Sequence, residues 1–377
     1  MDEDAIRANC RALKNSMDAH YHKKGLVLYA SKAFCCKRMY RILNEEGLGA
    51  DVVSGGELYT ALQAGFPAER IYFHGNNKTA DELTMALESG VGRIVVDNIA
   101  ELELLGALAK AAGKTIGLRI NPECSTQEGH EIYDPCAPGS RLGTTRAQWD
   151  AAVAAHPELP ALLDGLHFHT LCEQDADALA VTLDAVAEKF GDLLPKMKWL
   201  NFGGGHHITR PGYDMATLEK CIRRARNDWG VTVYLEPGEA CALNAGYLLT
   251  RVLDVVQNGD TTIAILDTSA ACHMPDVIEM PYRPPLLGAG EHGEKACTVR
   301  LAGPTCLAGD IIGDYSFDAV PAVGDLLVFG DMAIYTTCKN NTFNGMPLPA
   351  IYARRPDGTT REITTFGYSN FKHRVGK

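Results

Sequence analysis

Short apolar runs alternate with helix-period segments through the first two thirds of the chain. The runs occupy residues 26–30, 51–53, 71–73, 93–96, 116–120, 165–169, 198–202 and 231–235. Between most of them apolar residues recur at three- and four-residue spacing, most clearly over Ala80–Leu87 and Ala100–Ala111. That spacing is the period of a helix with one buried face. Glycine or proline punctuates many of the joints, as turns require. Such alternation predicts parallel strands joined by crossover helices. Eight units of it predict a closed (β/α)8 TIM barrel over residues 1–238 rather than an open sheet.

After Glu236-Pro237-Gly238 the pattern changes. Tyr247–Val256, Thr262–Leu266, Thr298–Leu301 and Leu326–Phe329 are β-rich and separated by turn residues, and long helical patterns stop. A second, mainly β domain is predicted over residues 239–377. No internal repeat, low-complexity tract or flexible linker interrupts the chain.

Composition then narrows the class. A chain of 377 residues suits two domains and can bury a large core. Hydrophobic content of 46% and charged content of 22% are ordinary for a soluble globular protein. No apolar stretch approaches the roughly 20 residues that a membrane span needs. The start, Met1-Asp2-Glu3-Asp4, is acidic and unlike a signal peptide, so a cytoplasmic protein is expected. A net charge of −11 argues against general nucleic-acid binding, which needs a basic face, and is compatible with a small cationic substrate. The twelve cysteines are scattered and none forms Cys-x-x-Cys. They read as reduced thiols, most of them packed as small hydrophobes.

A barrel of this kind carries its chemistry at the carboxyl ends of its strands, and the unusual residues fall there. The first run ends in Ala30-Ser31-Lys32-Ala33-Phe34. Desolvation at a buried strand end disfavours the ammonium and frees a nucleophilic amine. A lysine that forms a Schiff base with a carbonyl cofactor needs that amine. The alternative is a lysine with its head in water, and the neighbouring motifs decide for the Schiff base. Asp51 leads into Ser54-Gly55-Gly56-Glu57, and the third run ends in His74-Gly75-Asn76-Asn77-Lys78. The sixth carries His167-Phe168-His169-Thr170, the seventh ends in Gly203-Gly204-Gly205, and the eighth in Glu236-Pro237-Gly238. Three glycines let backbone N–H groups converge on a phosphate, although a tight turn would use them equally well. Glu236 can hold a protonated pyridine nitrogen and strengthen the ring as an electron sink, or it is a plain strand end. His169 can lie against that ring, or be a hydrogen-bonded core histidine.

His167 and His169 also admit a metal hydrolase, since alternate strand residues share a face. Further ligands are not evident, and no metal is expected. His206 and His207 do no better, because adjacent strand residues face opposite ways. In the β domain, Cys306 lies in the loop Gly303-Pro304-Thr305-Cys306 and can donate a proton, or is one more buried cysteine. Tyr335 ends Asp331-Met332-Ala333-Ile334-Tyr335 and can reach a phosphate, or is a core tyrosine.

Together the motifs resemble the alanine-racemase-like (fold type III) pyridoxal-phosphate decarboxylases over nearly the whole chain. Residues 1 to about 117 resemble diaminopimelate decarboxylases, through Tyr29-Ala30-Ser31-Lys32-Ala33-Phe34, Asp51-Val52-Val53-Ser54-Gly55-Gly56-Glu57-Leu58 and His74-Gly75-Asn76-Asn77-Lys78. From about Asn121 the chain resembles carboxynorspermidine/carboxyspermidine decarboxylases. The carriers there are Tyr133-Asp134-Pro135-Cys136-Ala137-Pro138-Gly139-Ser140-Arg141-Leu142-Gly143 and Leu166-His167-Phe168-His169-Thr170-Leu171-Cys172-Glu173-Gln174. Cys272-His273-Met274-Pro275-Asp276 and Gly303-Pro304-Thr305-Cys306-Leu307-Ala308-Gly309-Asp310 continue the match. The resemblance implies that Lys32 binds pyridoxal 5'-phosphate covalently and that Gly203, Gly204, Gly205 and Tyr335 hold its phosphate. It implies that Glu236 pairs with the pyridine nitrogen, that His169 stacks on the ring and that Asp51 lies near lysine and cofactor. It further implies that Cys306 acts from a partner subunit as proton donor after carbon dioxide leaves, hence a homodimer with shared sites.

Two departures bear on substrate and integrity. Diaminopimelate decarboxylases usually have arginine after Glu-Pro-Gly, gripping the distal carboxylate of the substrate. Here Glu239 stands there and would repel a carboxylate and favour an ammonium. Leu307 follows Cys306 where the diaminopimelate pattern has glutamate. Glu239 and Asp276 suit the amino groups of a polyamine chain. The expected function is decarboxylation of carboxynorspermidine or carboxyspermidine to norspermidine or spermidine, in polyamine biosynthesis. The alternatives are diaminopimelate decarboxylation and an inactive homologue that binds the cofactor or a polyamine. Family members usually begin earlier, with a strand that joins the β domain. Together with the change of resemblance near residue 118, that predicts a recombined, engineered or unusually diverged chain whose strands one to five pack imperfectly on six to eight.

Overall fold

The computed structural model describes residues 1–21, 25–127 and 134–376. Tyr133, which opens one of the motifs above, lies outside the described residues. The chain separates into two units, Arg7–Cys241 and Met1–Ile6 with Ala242–Lys377.

The first unit holds strands β1 (Leu26–Ala30), β2 (Gly49–Val52), β3 (Ile71–His74), β4 (Arg93–Val96) and β5 (Thr115–Asn121). The short β6 (Thr144–Thr145) follows, then β7 (Gly165–His167), β8 (Trp199–Asn201) and β9 (Thr232–Leu235). All pair in parallel; β1 meets both β2 and β9, and β4 meets β5, so eight strands close into a barrel with β6 added beside β5. Helix α1 (Glu3–Tyr21) precedes β1. The crossovers are α2 (Lys37–Glu45), α3 (Gly55–Gln63), α4 (Ala80–Ser89), α5 (Ile99–Ala111), α6 (Arg146–Ala155), α7 (Ala176–Phe190) and α8 (Met215–Trp229). The expected TIM barrel is the observed fold.

Polar residues just past the strands start these helices. Ser54, Thr79 and Asn98 accept the N–H of Glu57, Glu82 and Glu101 at 3.3, 3.3 and 2.9 Å. Each such cap contributes about 1 kcal/mol. Two residues inside the motifs serve this local architecture. Glu57 Oε2 accepts the Val53 N–H at 2.8 Å, closing the turn that Ser54 caps. Lys78 is buried, donates to Gly75 O at 2.9 Å and Val95 O at 2.6 Å, and pairs with Glu101 at 3.0 Å.

One end of the barrel interior is filled by aromatic rings around an arginine. Trp199, 1% exposed, clusters with Tyr72 and Tyr234. The Arg93 guanidinium carbon lies 4.8 Å from the Tyr72 ring, 5.0 Å from Tyr234 and 5.8 Å from Trp199, within cation–π range. Gly117, Gly165 and Trp199 sit side by side in register across β5, β7 and β8. A Cβ at Gly117 or Gly165 would come within 2.1 Å of the indole, so both positions must be bare to admit it. Gly117 precedes the change of resemblance near residue 118 and Trp199 follows it. The ladder runs through that point with regular β4–β5 and β5–β7 pairing. The imperfect packing of strands one to five on six to eight is therefore not found among the described residues.

The boundary expected after residue 238 falls after Cys241, and Met1–Ile6 belong with the second unit. The reason is hydrogen bonding that sequence periodicity does not register. The Met1 ammonium donates to Tyr352 O at 2.7 Å, Asp2 N–H donates to Ala245 O at 2.7 Å, and Arg354 pairs with Asp2 at 2.8 Å. In this unit β10 (Leu248–Asn258), β11 (Thr261–Leu266), β12 (Cys297–Ala302), β13 (Ile311–Phe317) and β14 (Leu326–Phe329) form one sheet in the order β13-β12-β11-β10-β14. A hairpin of β15 (Ile351–Arg354) and β16 (Thr360–Thr364) stands apart from it. Val252, Leu266, Leu301, Tyr315 and Phe329 form the core of the unit.

We expect Gly165→Ala to destabilise the barrel by about 1–3 kcal/mol, the usual cost of forcing extra volume into a packed core. Denaturant unfolding followed by tryptophan fluorescence measures it; an unchanged midpoint would show that the indole does not depend on the bare strand.

Candidate active site

The carboxyl ends of the strands gather polar side chains at the other end of the barrel. Glu236, just beyond β9, is 4% exposed. Its Oε1 accepts Asn201 Nδ2 at 2.6 Å, and its Oε2 faces His167 Nε2 at 2.8 Å and His74 Nδ1 at 3.7 Å. The His74 and His167 rings lie 3.9 Å apart, tilted by 52°. Burial alone would raise the Glu236 carboxyl, but His167 and His74 beside it hold it well below the usual carboxylate range. Asp51, on β2 and paired in register with Ala30 of β1, behaves oppositely. Burial first, and then the nearby Glu236 and Glu57, push its carboxyl well above the ordinary value. Two carboxyls whose environments drive them apart divide the roles of base and acid. Glu236 is held in the ionised form, and Asp51 is biased toward the protonated one.

The glycine run adjoins this layer. Gly203 and Gly205 have φ of +70° and +82°, a region that penalises a side chain. Gly204 passes so close to Glu236 that a Cβ would lie 2.2 Å from its carbonyl oxygen. Asn201 Oδ1 accepts the Gly203 N–H at 2.9 Å, and His169 Nδ1 accepts the Gly204 N–H at 2.9 Å. Of the three amides expected to converge on an anion, only that of Gly205 has no protein acceptor among the described residues. The bond from Gly204 fixes the His169 tautomer, leaving the ring proton on Nε2. Burial, followed by the positive charges of Lys32 and Arg119, holds the His169 imidazole neutral.

Lys32 lies on a single turn, Ser31–Ala33, directly after β1, and is exposed. The desolvation expected from its strand is absent, because the lysine stands on the turn beyond the strand. Its charge still reaches Asp51, Glu57 and His169. His167 and His169 do not share a strand face as expected: β7 stops at His167, which turns to Glu236, while His169 sits on the following loop. His74, His167 and Glu236 do offer one donor atom each within 4.8 Å. A metal-ligating imidazole ordinarily donates its second nitrogen to a partner. Here His74 Nε2 and His167 Nδ1 have none among the described residues. The set is thus better built to hold a carboxylate than an ion.

Two members of this layer were not anticipated from the sequence, Arg119 and Asn201, and a third, His74, was placed at this end of the barrel without a role. Arg119 is buried on β5, 3.5 Å from Asp97 and 3.5 Å from the His169 carbonyl. A charged residue inside an otherwise apolar strand was the available signal for it. For Asn201 the signal was its place two residues before the glycines.

The remaining expected residues lie in the second unit. Cys306 is exposed, and its N–H donates to Asn344 Oδ1 at 2.9 Å. The loop carrying it is pinned by buried Asp310, which accepts from Ser269 Oγ at 3.0 Å and Thr305 Oγ1 at 2.6 Å. Tyr335 is half-buried with φ of +52°. Asp276 is paired with Lys339, which also reaches Glu279 at 3.2 Å. A substrate ammonium at Asp276 would have to displace that lysine. Glu239 belongs to the barrel unit, one turn beyond Glu236, with His207 Nδ1 3.9 Å from its carboxylate. All twelve cysteines are free thiols.

A TIM barrel with an ionised carboxylate, a glycine turn and a lysine at the carboxyl ends of its strands matches one class of enzyme. The profile of the pyridoxal-dependent decarboxylases, pyridoxal binding domain, matches residues 3–242. The chain belongs to this family of pyridoxal-phosphate-dependent carboxy-lyases. It is 36% identical to the carboxynorspermidine/carboxyspermidine decarboxylase of Campylobacter jejuni, covering 99% of this chain and 97% of that one. It is 43% identical to the carboxyaminopropylagmatine decarboxylase of Synechocystis over 69% of this chain and 66% of that one. The crystal structure of carboxynorspermidine decarboxylase from Campylobacter jejuni, complexed with norspermidine, superposes with a TM-score of 0.86 at 34% identity, covering 99% and 98% of the two chains. Diaminopimelate decarboxylases are also among the relatives. A single relative thus spans both sides of residue 118.

The residues fit the cofactor of the family. Glu236 is ionised and buried, Asp51 Oδ1 has no partner among the described residues, and glycines line the turn beside them.

The imidazole beyond the glycines yields a pH prediction. Burial pushes His206 from 6.5 down to about 4. A neutral folded imidazole that would protonate when unfolded stabilises fully above pH 6.5, and the contribution is lost as pH falls toward 4, roughly 3 kcal/mol in all. His206→Gln should therefore lose less stability than the parent between pH 6.5 and 4, as read by denaturant unfolding at each pH. Parallel profiles would contradict the assignment.

Proposed function

We propose that the protein decarboxylates carboxynorspermidine or carboxyspermidine, releasing norspermidine or spermidine and carbon dioxide in polyamine biosynthesis. The observation that carries this reading is Glu239. It places a carboxylate on the turn after Glu236-Pro237-Gly238, in the barrel unit that holds the candidate site. A carboxylate there attracts the distal ammonium of a polyamine chain and repels the distal carboxylate of diaminopimelate. The relatives of matching length and a net charge of −11 support the same class of substrate.

When bound, pyridoxal phosphate supplies an aldehyde for an amine and a ring that takes up the electron pair left as carbon dioxide departs. Lys32 would hold the cofactor through its aldehyde. Glu236, kept ionised by its neighbours, would hold the protonated pyridine nitrogen, and neutral His169 would face the ring. Asp51, whose carboxyl is pushed well above its ordinary value by burial and by Glu236, would stand near Lys32 and the cofactor. Gly203, Gly204 and Gly205 would form the phosphate end, with the Gly205 amide as the available backbone donor, and the family resemblance assigns Tyr335 to the phosphate as well. Cys306 returns a proton to the substrate carbon. On the family resemblance we assign it to the second subunit of a homodimer, acting in the cytoplasm. Among the described residues no helix is long and apolar enough to cross a membrane. Asp276 is assigned to the substrate amino groups, in exchange for Lys339.

Carbon dioxide release by the holoenzyme should be rapid with carboxynorspermidine or carboxyspermidine and slight with diaminopimelate. Turnover of diaminopimelate alone would overturn the reading, and cofactor binding without turnover of any of them would make the chain a binding homologue. Lys32→Ala should abolish release. Glu239→Arg should lower kcat/KM for the polyamine substrate by about 10- to 100-fold, the worth of one charged hydrogen bond replaced by a like charge.

A further inference from the structure

We infer that Asn201 is a positioning residue that ties the carboxylate facing the pyridine nitrogen to the glycine turn facing the phosphate. The inference rests on the assignment of Glu236 and Gly203–Gly205 above and adds to it a mechanical link between the two ends of the ligand.

Asn201 is 0% exposed and is the last residue of β8. Its Nδ2 donates to Glu236 Oε1 at 2.6 Å, and its Oδ1 accepts the Gly203 N–H at 2.9 Å. Only one orientation of the amide satisfies both partners, because a carboxylate cannot donate and an N–H cannot accept. The backbone repeats the link, since Glu236 N–H donates to Gly203 O at 2.7 Å. On its other oxygen Glu236 meets His167, whose ring lies 3.9 Å from that of His74 at a tilt of 52°. The carboxylate therefore has one donor that also governs the glycine turn and one that does not. A shift of the carboxylate toward a ligand pulls on Gly203 through Asn201. A phosphate that orders the turn sets the angle of the carboxylate. Neither aspartate nor glutamine fills both roles: the first lacks the donor, and the second is a methylene too long for a fully buried site.

The test uses apoenzyme titrated with pyridoxal phosphate and with pyridoxal, which lacks the phosphate. Asn201→Ala, Asn201→Asp, Glu236→Gln and the double variant Asn201→Ala/Glu236→Gln are compared, with thermal melting as the check of folding. Asn201→Ala should weaken pyridoxal phosphate binding by about tenfold or more, the worth of a hydrogen bond to a charged group. The double variant should lose less affinity than the sum of the two single losses, because the Asn201–Glu236 bond contributes to both. The preference for pyridoxal phosphate over pyridoxal should shrink in Asn201→Ala and persist in Asn201→Asp, which keeps the acceptor for Gly203. A residue that merely supports the barrel would lower both affinities equally and leave that preference alone. Where Asn201→Ala does not fold, Asn201→Asp, close in size, decides through weaker binding with the phosphate preference intact. Additive losses, or an unchanged phosphate preference in Asn201→Ala, would overturn the link alone. Unchanged affinity in Glu236→Gln would overturn the placement of the pyridine at Glu236, and the link with it.

Discussion

An ionised carboxylate buried inside a barrel survives only if its neighbours replace the water it has lost. Glu236 is such a group. Asn201 and His167 each give one oxygen a short hydrogen bond, and His74 lies behind them. The rest of the polar layer follows from this one charge. Burial, and then the nearby Glu236 carboxylate, push the Asp51 carboxyl well above its ordinary value. The glycine turn passes within contact of Glu236, which is why no side chain is tolerated at Gly204. These residues come from the carboxyl ends of several strands, β2, β3, β7, β8 and β9. The closed sheet, rather than any local sequence, brings them together.

The opposite end of the barrel supplies the rigidity that such a layer needs. Trp199 occupies space left by Gly117 and Gly165, and Arg93 is held among three aromatic rings. Trp199 and Asn201 belong to the same three-residue strand. The indole anchors one end of β8, and the amide two residues later joins the carboxylate to the glycine turn. Packing and chemistry thus share a strand, and a core defect at Trp199 would be felt at Glu236.

The barrel was legible because its period is strong: eight apolar runs, each followed by a helical repeat or a polar loop. The site was legible where a residue type is unusual for its place, as with Lys32, Glu236 and the three glycines. Strand ends were not legible to the residue, and this misplaced His169 on the face of His167. Loss of ladder pairing after His167 leaves no mark in the hydrophobic pattern. Asn201 and His74 were passed over as site residues because a single amide or imidazole near a strand end is common. Their meaning comes from partners distant in sequence. The exposure of Lys32 was missed for a similar reason, since a one-turn helix after a strand lifts it out of the core. Met1–Ile6 joined the second unit through backbone hydrogen bonds that no side-chain pattern announces.

The central claim is that Glu236, held ionised by its partners, keeps the cofactor's pyridine nitrogen protonated. Nitrogen NMR of the holoenzyme carrying isotope-labelled pyridoxal phosphate tests it most directly. The account predicts a protonated pyridine signal in the parent protein at neutral pH and an unprotonated one in Glu236→Gln. The same protonated signal in both, or an unprotonated signal in the parent, would contradict it.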